Sequence, residues 1–126
     1  KAEGVDGSAW IWTHAQNEKD NAQHKKAAEA GAWIAFDGVN KKHLERDLGH
    51  LKAMKSYGLL NQVLISHDAG WYRPGEPDGG AFRPYKDLFE TFLPALEQNG
   101  FSDEEIHLLT VENPKRAFAI GVRARS

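Results

Sequence analysis

The sequence predicts an α/β fold made of successive strand–helix units around a parallel sheet. Two observations lead to this prediction. Three short apolar runs recur in the first half of the chain, and a segment of helical composition or periodicity lies between each run and the next. Strands buried on both faces of a parallel sheet have this near-continuous apolarity, and right-handed crossovers connect them.

The first unit begins with the apolar run of residues 9–14, in which β-branched and aromatic side chains favour a strand buried on both faces. A polar loop follows, and Asn17 or Glu18 is expected to open a helix rich in alanine and lysine. Gly31 supplies the stop signal at the end of that helix.

The second unit begins with residues 32–36, an apolar run that ends at Asp37. Asn40 is expected to cap the following helix. Apolar residues recur in this helix three or four positions apart and form one stripe that faces a core: Leu44, Leu48, Leu51 and Met54. We expect this helix to close at Gly58.

The third apolar run, residues 63–66, leads to His67 and Asp68, and the composition then changes. Residues 69–84 contain four glycines and three of the five prolines of the chain, so no regular element is expected there. A long loop inside a compact domain is usually functional or disordered, and its aromatic residues favour an ordered pocket wall.

The rest of the chain is expected to be helical. A helix starts near Tyr85, and Pro94 bends or ends its regular part. Ser102 opens a further helix through a capping box, and Pro114 occupies the first position of a last short helix. Residues 122–126 form a polar tail.

The composition excludes several functional classes. The 126 residues carry 16 basic and 18 acidic side chains, and this balance argues against a nucleic-acid partner. The chain has no apolar run of about 18 residues, the length of a membrane span. It has no cysteine, and therefore no disulfide or thiolate site. It starts at Lys1 without an initiator methionine or a signal peptide, so we expect a processed or truncated chain.

Each predicted strand ends at a polar residue that can bind a metal: His14, Asp37 and Asp68. Catalytic groups of parallel β/α folds collect at the carboxyl ends of the strands. Imidazole nitrogen and carboxylate oxygen bind zinc and similar divalent ions, and a carboxylate can take the proton of a metal-bound water. Taken singly, each residue also has a structural interpretation, and Asp37 followed by Gly38 is a common turn signature.

The remaining histidines and tryptophans have structural interpretations. We expect four histidines on the predicted helices to be solvated: His24, His43, His50 and His107. The tryptophans of the predicted strands, Trp10, Trp12 and Trp33, are expected to pack in the core or against helices. Trp71 differs because it lies in the loop rich in glycine and proline.

Two segments together resemble the C-terminal part of phosphotriesterase-family proteins, in the amidohydrolase superfamily of metal-dependent hydrolases. They are VLISHD at residues 63–68 and LTVENPKRAF at residues 109–118. The strand end Trp12-Thr13-His14 resembles the sixth strand of that family, which supplies a metal-binding histidine. Residues 33–37 then take the place of the seventh strand, and Asp68 ends the eighth.

The resemblance implies that residues 1–126 are the C-terminal fragment, about strands six to eight with their helices, of a single (β/α)8 TIM barrel domain. It also implies that His14 and Asp68 ligate metal in a centre of two divalent ions, expected to be zinc. Asp68 would also be catalytic and shuttle the proton of a metal-bridging hydroxide. Trp71, Tyr72 and Arg73 would shape the substrate pocket.

The resemblance therefore implies a metal-dependent hydrolase that cleaves an ester, lactone or phosphoester bond of a small molecule. The family's other metal ligands would lie before Lys1, so this chain alone is expected to be inactive. It is also expected to self-associate or to pair with the missing N-terminal part. No nucleic-acid or membrane partner is expected, and a cytoplasmic location is favoured. The alternative is a small, self-contained α/β module that binds a ligand or partner without catalysis.

Overall fold

A computed structural model describes residues 4–121 of the chain. Its strands are Ile11–Trp12 (β1), Trp33–Phe36 (β2) and Val63–Ile65 (β3). Its α-helices are Asn21–Glu29 (α1), Leu44–Ser56 (α2), Leu93–Gln98 (α3), Asp103–His107 (α4) and Asn113–Phe118 (α5). Short 3₁₀ turns are Gly7–Ala9, Ala15–Asn17, Lys41–His43, Leu60–Gln62 and Pro77–Gly79. The polar tail predicted for residues 122–126 lies outside the described residues.

The three strands form one parallel sheet in the order β1-β2-β3, which confirms the predicted α/β architecture. Ile11 lies opposite Trp33, and Ile34 lies opposite Val63. The carboxyl ends of all three strands therefore point to the same edge. The loops that follow the strands meet at this edge, and the candidate site is built from them.

The first strand is shorter and less buried than its sequence predicts. Asp6 accepts a hydrogen bond from the Ser8 amide, 2.8 Å away, and caps a 3₁₀ turn that takes up the start of the apolar run. Trp10 is 55% exposed and therefore does not pack in the core; of the two predicted placements it takes the one beside a helix, where it lines a groove with Gln23 and Ala27 of α1. By contrast, all four residues of β2 are buried, as its continuous apolarity predicts.

The main core lies between the sheet and the helices. Ile34, Phe36 and Val63 point into it from the strands, and the stripe of α2 packs against them. The predicted apolar stripe is therefore correct, with Leu48, Leu51 and Met54 buried. Alternate strand residues face the opposite side of the sheet, where Trp33, Ala35 and Leu64 form a smaller cluster with Ala117 of α5.

Prolines widen two helices in the C-terminal half. Leu88–Phe92 and Leu108–Glu112 are single π-helical segments, and each precedes a helix with proline in its first turn. A proline has no N–H and its ring clashes with the carbonyl group four residues earlier. The preceding turn therefore closes through a bond five residues back, from the Leu93 amide to the Leu88 carbonyl group and from the Asn113 amide to the Leu108 carbonyl group.

Local capping signals place most helix ends. Asp20 caps α1 through the Ala22 amide at 2.9 Å, three residues or fewer after the predicted opening at Asn17 or Glu18. Asn40 caps the 3₁₀ turn that leads into α2. The capping box between Ser102 and Glu105 is confirmed. No helix among residues 4–121 combines the length and apolarity needed to cross a bilayer.

Candidate active site

The three polar residues predicted at the strand ends lie at the carboxyl edge of the sheet. Asp37 follows β2 directly, His14 lies two residues after β1, and Asp68 lies three residues after β3. His14 and Asp68 have left-handed backbones with φ of 55° and 47°. A residue other than glycine pays about 1–2 kcal/mol for this conformation, and such strain clusters at functional sites.

The His14 imidazole is held by Asp37. Its Nδ1 lies 2.8 Å from Asp37 Oδ1, and the His14 backbone amide donates to Asp37 Oδ2 at 2.9 Å. An ionised carboxylate only accepts hydrogen bonds, so Nδ1 carries the proton and Nε2 of the neutral ring has a free lone pair. The His14 side chain is 58% exposed. It therefore presents a potential ligand atom to the open edge of the sheet.

Asp37 is itself held by Gln16. The Gln16 amide nitrogen donates to Asp37 Oδ1 at 3.0 Å, and its amide oxygen accepts from the Asp37 backbone N–H at 3.2 Å. Gln16 is buried, whereas Asp37 is partly buried. His14, Gln16 and Asp37 thus form one hydrogen-bonded unit between two neighbouring strand ends.

The charges of this unit shift two pKa values in opposite directions. The hydrogen bond to Asp37 and the charge of Asp37 raise the pKa of His14, and the charge of Asp68 raises it further. Burial favours a higher pKa for the Asp37 carboxyl group, but the hydrogen bonds from the His14 amide, Gln16 and the His14 imidazole outweigh it and lower the pKa. Asp37 is therefore ionised at neutral pH. The charge of Asp68 thus makes a small contribution to the raised pKa of His14 from the other side of β2.

Asp68 is anchored through its backbone, and its side chain is left exposed. The Arg83 guanidinium donates to the carbonyl groups of His67 and Asp68, and Trp71 Nε1 donates to the Asp68 carbonyl at 3.0 Å. The Gly70 amide in turn donates to the Arg83 carbonyl at 3.0 Å. These bonds fix the start of the loop without using the Asp68 carboxylate, which remains available for chemistry.

The same loop contains the three residues predicted to shape the substrate pocket, Trp71, Tyr72 and Arg73. They differ in how directly they contact Asp68. Trp71 contacts Asp68 directly and is 63% exposed. The Tyr72 ring covers Gly79, where a Cβ atom would lie 2.2 Å from the ring. Arg73 pairs with Glu76 at 3.5 Å within the loop. Their roles in substrate binding stay a prediction.

A basic cavity that is connected to Asp68 through Arg83 has no counterpart in the sequence prediction. It has a volume of about 390 Å³ and is lined by Asn40, Lys41, Lys42, His43, Ala81, Phe82, Arg83 and Asp87. The Lys41 amide donates to Asp87 Oδ2 at 3.2 Å and joins the two walls. The adjacent lysines after the second strand were a signal for it, but only the tertiary structure brings Arg83 to face them.

The expectation that the helix histidines are solvated is wrong for two of them. His24 is fully buried and His50 is 6% exposed, whereas His43 and His107 are exposed. His24 Nε2 donates to the Ala15 carbonyl group at 2.8 Å, and the Asn21 side chain lies 3.1 Å from His24 Nδ1 and 2.8 Å from His50 Nδ1. Burial lowers the pKa of both histidines. This buried pair joins α1 to α2 beneath the loop that carries His14.

The donor set at the strand ends fits a divalent metal ion in part. His14 Nε2 and the Asp68 carboxylate are chemically suitable, since zinc and related ions take imidazole and carboxylate ligands. Within residues 4–121, however, no group of three or more histidine, aspartate or glutamate side chains is placed to hold a metal. Zinc sites take at least three protein ligands, so these two residues supply part of one.

A parallel strand–helix fold with a histidine and two aspartates at one edge defines a class: β/α proteins whose site lies at the carboxyl ends of the strands. The model of the phosphotriesterase family matches residues 1–118. The chain therefore belongs to the phosphotriesterase family, as the resemblance of its strand ends predicts.

Curated relatives agree with this membership. The chain is 34% identical over 122 residues to a phosphotriesterase homology protein of Escherichia coli strain K12, covering 94% of this chain and 41% of that protein. It is 31% identical over 115 residues to a phospho-furanose lactonase of Mycoplasmopsis synoviae strain 53, covering 85% of this chain and 33% of that protein. The chain thus spans about two fifths or less of the length of these relatives.

Solved structures give the same result for the fold. The crystal structure of the Escherichia coli phosphotriesterase homology protein, complexed with phosphate in its active site, superposes with a TM-score of 0.77 at 30% identity. It matches 91% of this chain and 40% of the other. An organophosphorus hydrolase from Deinococcus radiodurans gives 0.76 at 26% identity and covers 94% of this chain and 40% of its own. The relatives thus include a lactonase and an organophosphorus hydrolase, and the family is generally metal-dependent.

Proposed function

We propose that this chain is the C-terminal part, about strands six to eight, of a phosphotriesterase-like barrel enzyme that hydrolyses an ester, lactone or phosphoester bond. The observation that carries the proposal is the position of His14 and Asp68. They end the two outer strands of the sheet, both in left-handed conformations, and Asp68 raises the pKa of His14. The family match over residues 1–118 supports the proposal.

His14 and Asp68 would hold divalent metal in this enzyme, with zinc as the expected ion and two ions as the expected number. His14 would bind through Nε2, because Asp37 occupies Nδ1. Asp68 would bind through its exposed carboxylate. The metal would supply Lewis-acid activation of water and of the scissile bond. The remaining ligands would come from residues that this chain does not contain.

Asp68 would also take the proton from the attacking water. Its carboxylate is exposed at the edge of the sheet, while Arg83 and Trp71 hold its backbone in place. A general base needs this combination of a fixed position and an unoccupied oxygen atom within reach of water. His14 is less suited to the role, because its Nδ1 is occupied by Asp37 and its Nε2 is assigned to the metal.

The surroundings of Asp68 favour an ester-like substrate that carries a negative charge. The cavity of about 390 Å³ is lined by two lysines, Lys41 and Lys42, and by Arg83, which connects it to Asp68. The Arg83 guanidinium is already bonded to the carbonyl groups of His67 and Asp68, so the lysines supply the free cationic groups. A phosphate or carboxylate group is the natural occupant of such a cavity. Trp71 and Tyr72 would cover the apolar part of the substrate.

The test compares Asp68→Asn with Asp78→Asn in the protein that contains this chain, loaded with zinc. Both aspartates have left-handed backbones, which asparagine tolerates, and both lie in the segment after β3. We expect Asp68→Asn to lower kcat by about 100-fold or more on an ester, lactone or phosphoester that carries a carboxylate or phosphate group, because the proton acceptor is lost. Asp78→Asn should change it little. Equal activity of the two variants would overturn the catalytic role of Asp68, whereas a wild-type protein that hydrolyses none of these substrates would favour the non-catalytic α/β module.

A further inference from the structure

The contacts of Gln16 suggest a function for a residue that is neither a metal ligand nor part of a known motif. Its side chain makes two reciprocal bonds with Asp37: the amide nitrogen donates to Oδ1 at 3.0 Å, and the amide oxygen accepts from the backbone N–H at 3.2 Å. Both ends of the amide are thus committed to one residue. Gln16 is only 8% exposed, so water competes little for these bonds.

The absence of a side chain at Gly38 leaves room for the Gln16 amide. Eight glycines among residues 4–121 have positive φ, but Gly38 is not one of them, so its backbone does not require glycine. A Cβ atom at position 38 would lie 2.6 Å from Gln16 Nε2 and 3.4 Å from its amide carbon. Any side chain at position 38 would therefore push the Gln16 amide away from Asp37. The identities of residues 16 and 38 depend on each other.

The bonded unit passes this constraint on to His14. Asp37 Oδ1 accepts from both Gln16 and His14 Nδ1, and Oδ2 accepts from the His14 backbone amide. With Gln16 in place the carboxylate has one orientation, and that orientation holds the imidazole with its proton on Nδ1. Without Gln16, the Asp37 carboxylate keeps only its bonds to His14 and the Asp37 backbone N–H loses its partner, so the carboxylate is held less firmly and can turn toward water.

We propose that Gln16, with the space left by Gly38, is a positioning residue that orients Asp37 and thereby holds His14 in the tautomer that presents Nε2 as a metal ligand. The metal-binding part of this inference rests on the proposed function. The orientation and tautomer of His14 do not, since they follow from hydrogen bonds within the chain.

The main test measures the tautomer of His14 by ¹⁵N NMR in the 126-residue chain, at an alkaline pH where the ¹⁵N shifts themselves show the ring to be neutral, because the pKa of His14 is raised. The variant is Gln16→Met, which keeps the side-chain volume and removes both hydrogen bonds. We expect wild type to carry the proton on Nδ1 and the variant to show a mixture of the two tautomers. The control is Gln62→Met, which removes a bond to the Gly31 carbonyl group at the other end of the sheet and should leave the His14 signal unchanged.

The zinc affinity of the protein that contains this chain gives a second measurement. Loss of a group that orients a metal-binding histidine lowers affinity about 10- to 100-fold, and we expect about tenfold for Gln16→Met because it acts through Asp37. An unchanged tautomer and an unchanged zinc Kd in Gln16→Met, relative to Gln62→Met, would overturn the inference. If the wild-type protein that contains this chain binds no zinc but the His14 tautomer responds to Gln16→Met, the proposed function fails and the positioning role of Gln16 stands.

A double-mutant cycle tests the dependence between positions 16 and 38, and it remains informative if Gln16→Met folds poorly. Gly38→Ala should raise the unfolding constant about tenfold in wild type, because the new methyl group displaces the buried amide. In a Gln16→Ala background the same change should have less than about a twofold effect. Equal effects in both backgrounds would show that the two positions are independent and would contradict the proposal.

Discussion

Acidification is expected to destabilise the fold through the two buried imidazoles of His24 and His50. Their ring centroids lie 5.2 Å apart, and the His50 ring stacks on Phe36 at 5.1 Å. Burial lowers both pKa values, and the charge of the partner histidine and of Arg46 lowers that of His50 further. Glu18 and Asp20 act in the opposite direction on His24, and the Gln16 backbone does so on His50, but burial outweighs them.

The sign of the effect follows from these lowered pKa values. Above the ordinary histidine pKa of 6.5, both rings are neutral in the folded and in the unfolded chain. Below 6.5 the unfolded chain binds protons that the folded chain resists. Stability is therefore lost between 6.5 and the lower folded-state values. The loss reaches at most about 1.4 kcal/mol per pH unit for each imidazole, or about 2.8 kcal/mol per pH unit for the pair.

Urea unfolding at a series of pH values below 6.5 measures this loss. His50→Gln should remove about half of the pH slope, although it also lowers stability at neutral pH. His107→Gln, at an exposed site, should leave the slope unchanged. Because the pKa of His14 is raised, its protonation stabilises the fold on acidification. His14 is present in all three proteins, so this contribution cancels from the comparison. Equal slopes in wild type and His50→Gln would refute the reasoning.

Three further predictions concern the metal, the assembly and the core. Calorimetry of the 126-residue chain should show only weak zinc binding, because it contributes two ligands, and tight stoichiometric binding would contradict the proposed division of the site. Light scattering should detect self-association, or pairing with the complementary part of the barrel. The outer edges of β1 and β3 have no neighbouring strand among the described residues, and such edges tend to pair with another chain. A cavity of about 340 Å³ also lies over Ile11, Leu64 and Phe118. A stable monomer would argue against self-association. Asn113→Asp should lower the free energy of unfolding by about 2–4 kcal/mol, measured by thermal or urea unfolding. The reason is that the buried amide donates to the Leu60 and Val63 carbonyl groups at 2.7 and 2.8 Å. A loss below about 1 kcal/mol would show that these bonds contribute little.

The interdependence of Gln16 and Gly38 suggests how this chain holds its site together. Residues 15–17 after His14 contain no acidic side chain, and the residue directly after Asp37 is Gly38. A neutral amide, that of Gln16, therefore holds Asp37 through one carboxylate oxygen and through its backbone N–H. If the tautomer measurement agrees, substrate specificity in this chain should be sought in the loop after β3 and in the basic cavity, since residues 16 and 38 are committed to holding His14.

Local sequence was sufficient to predict the order of the strands, the extent of β2, most helix ends and the residues that follow the strands, but not the short length of β1. The apolarity of β2, the capping box at Ser102 and the stripe of α2 depend on interactions within a few residues, so composition and spacing identify them. Their places after the three strands made His14, Asp37 and Asp68 candidates for the site, and the family resemblance selected His14 and Asp68, whose roles stay a prediction. Their motif also led to the family, which the match over residues 1–118 confirms.

Only the tertiary structure determined which residues distant in sequence bond to or pack against each other. His14 and Asp37 are 23 residues apart, and the bond between them depends on the parallel register of β1 and β2. The burial of His24 and His50 depends on how α1 packs against α2, and spacing within either helix does not determine that packing. The width of the basic cavity likewise depends on where the loop after β3 returns to the sheet. The sequence by itself determined which residues lie at the carboxyl edge of the sheet, because each of them lies at or just after the end of an apolar run. The packing of the strands and helices decided which of these residues bond to each other.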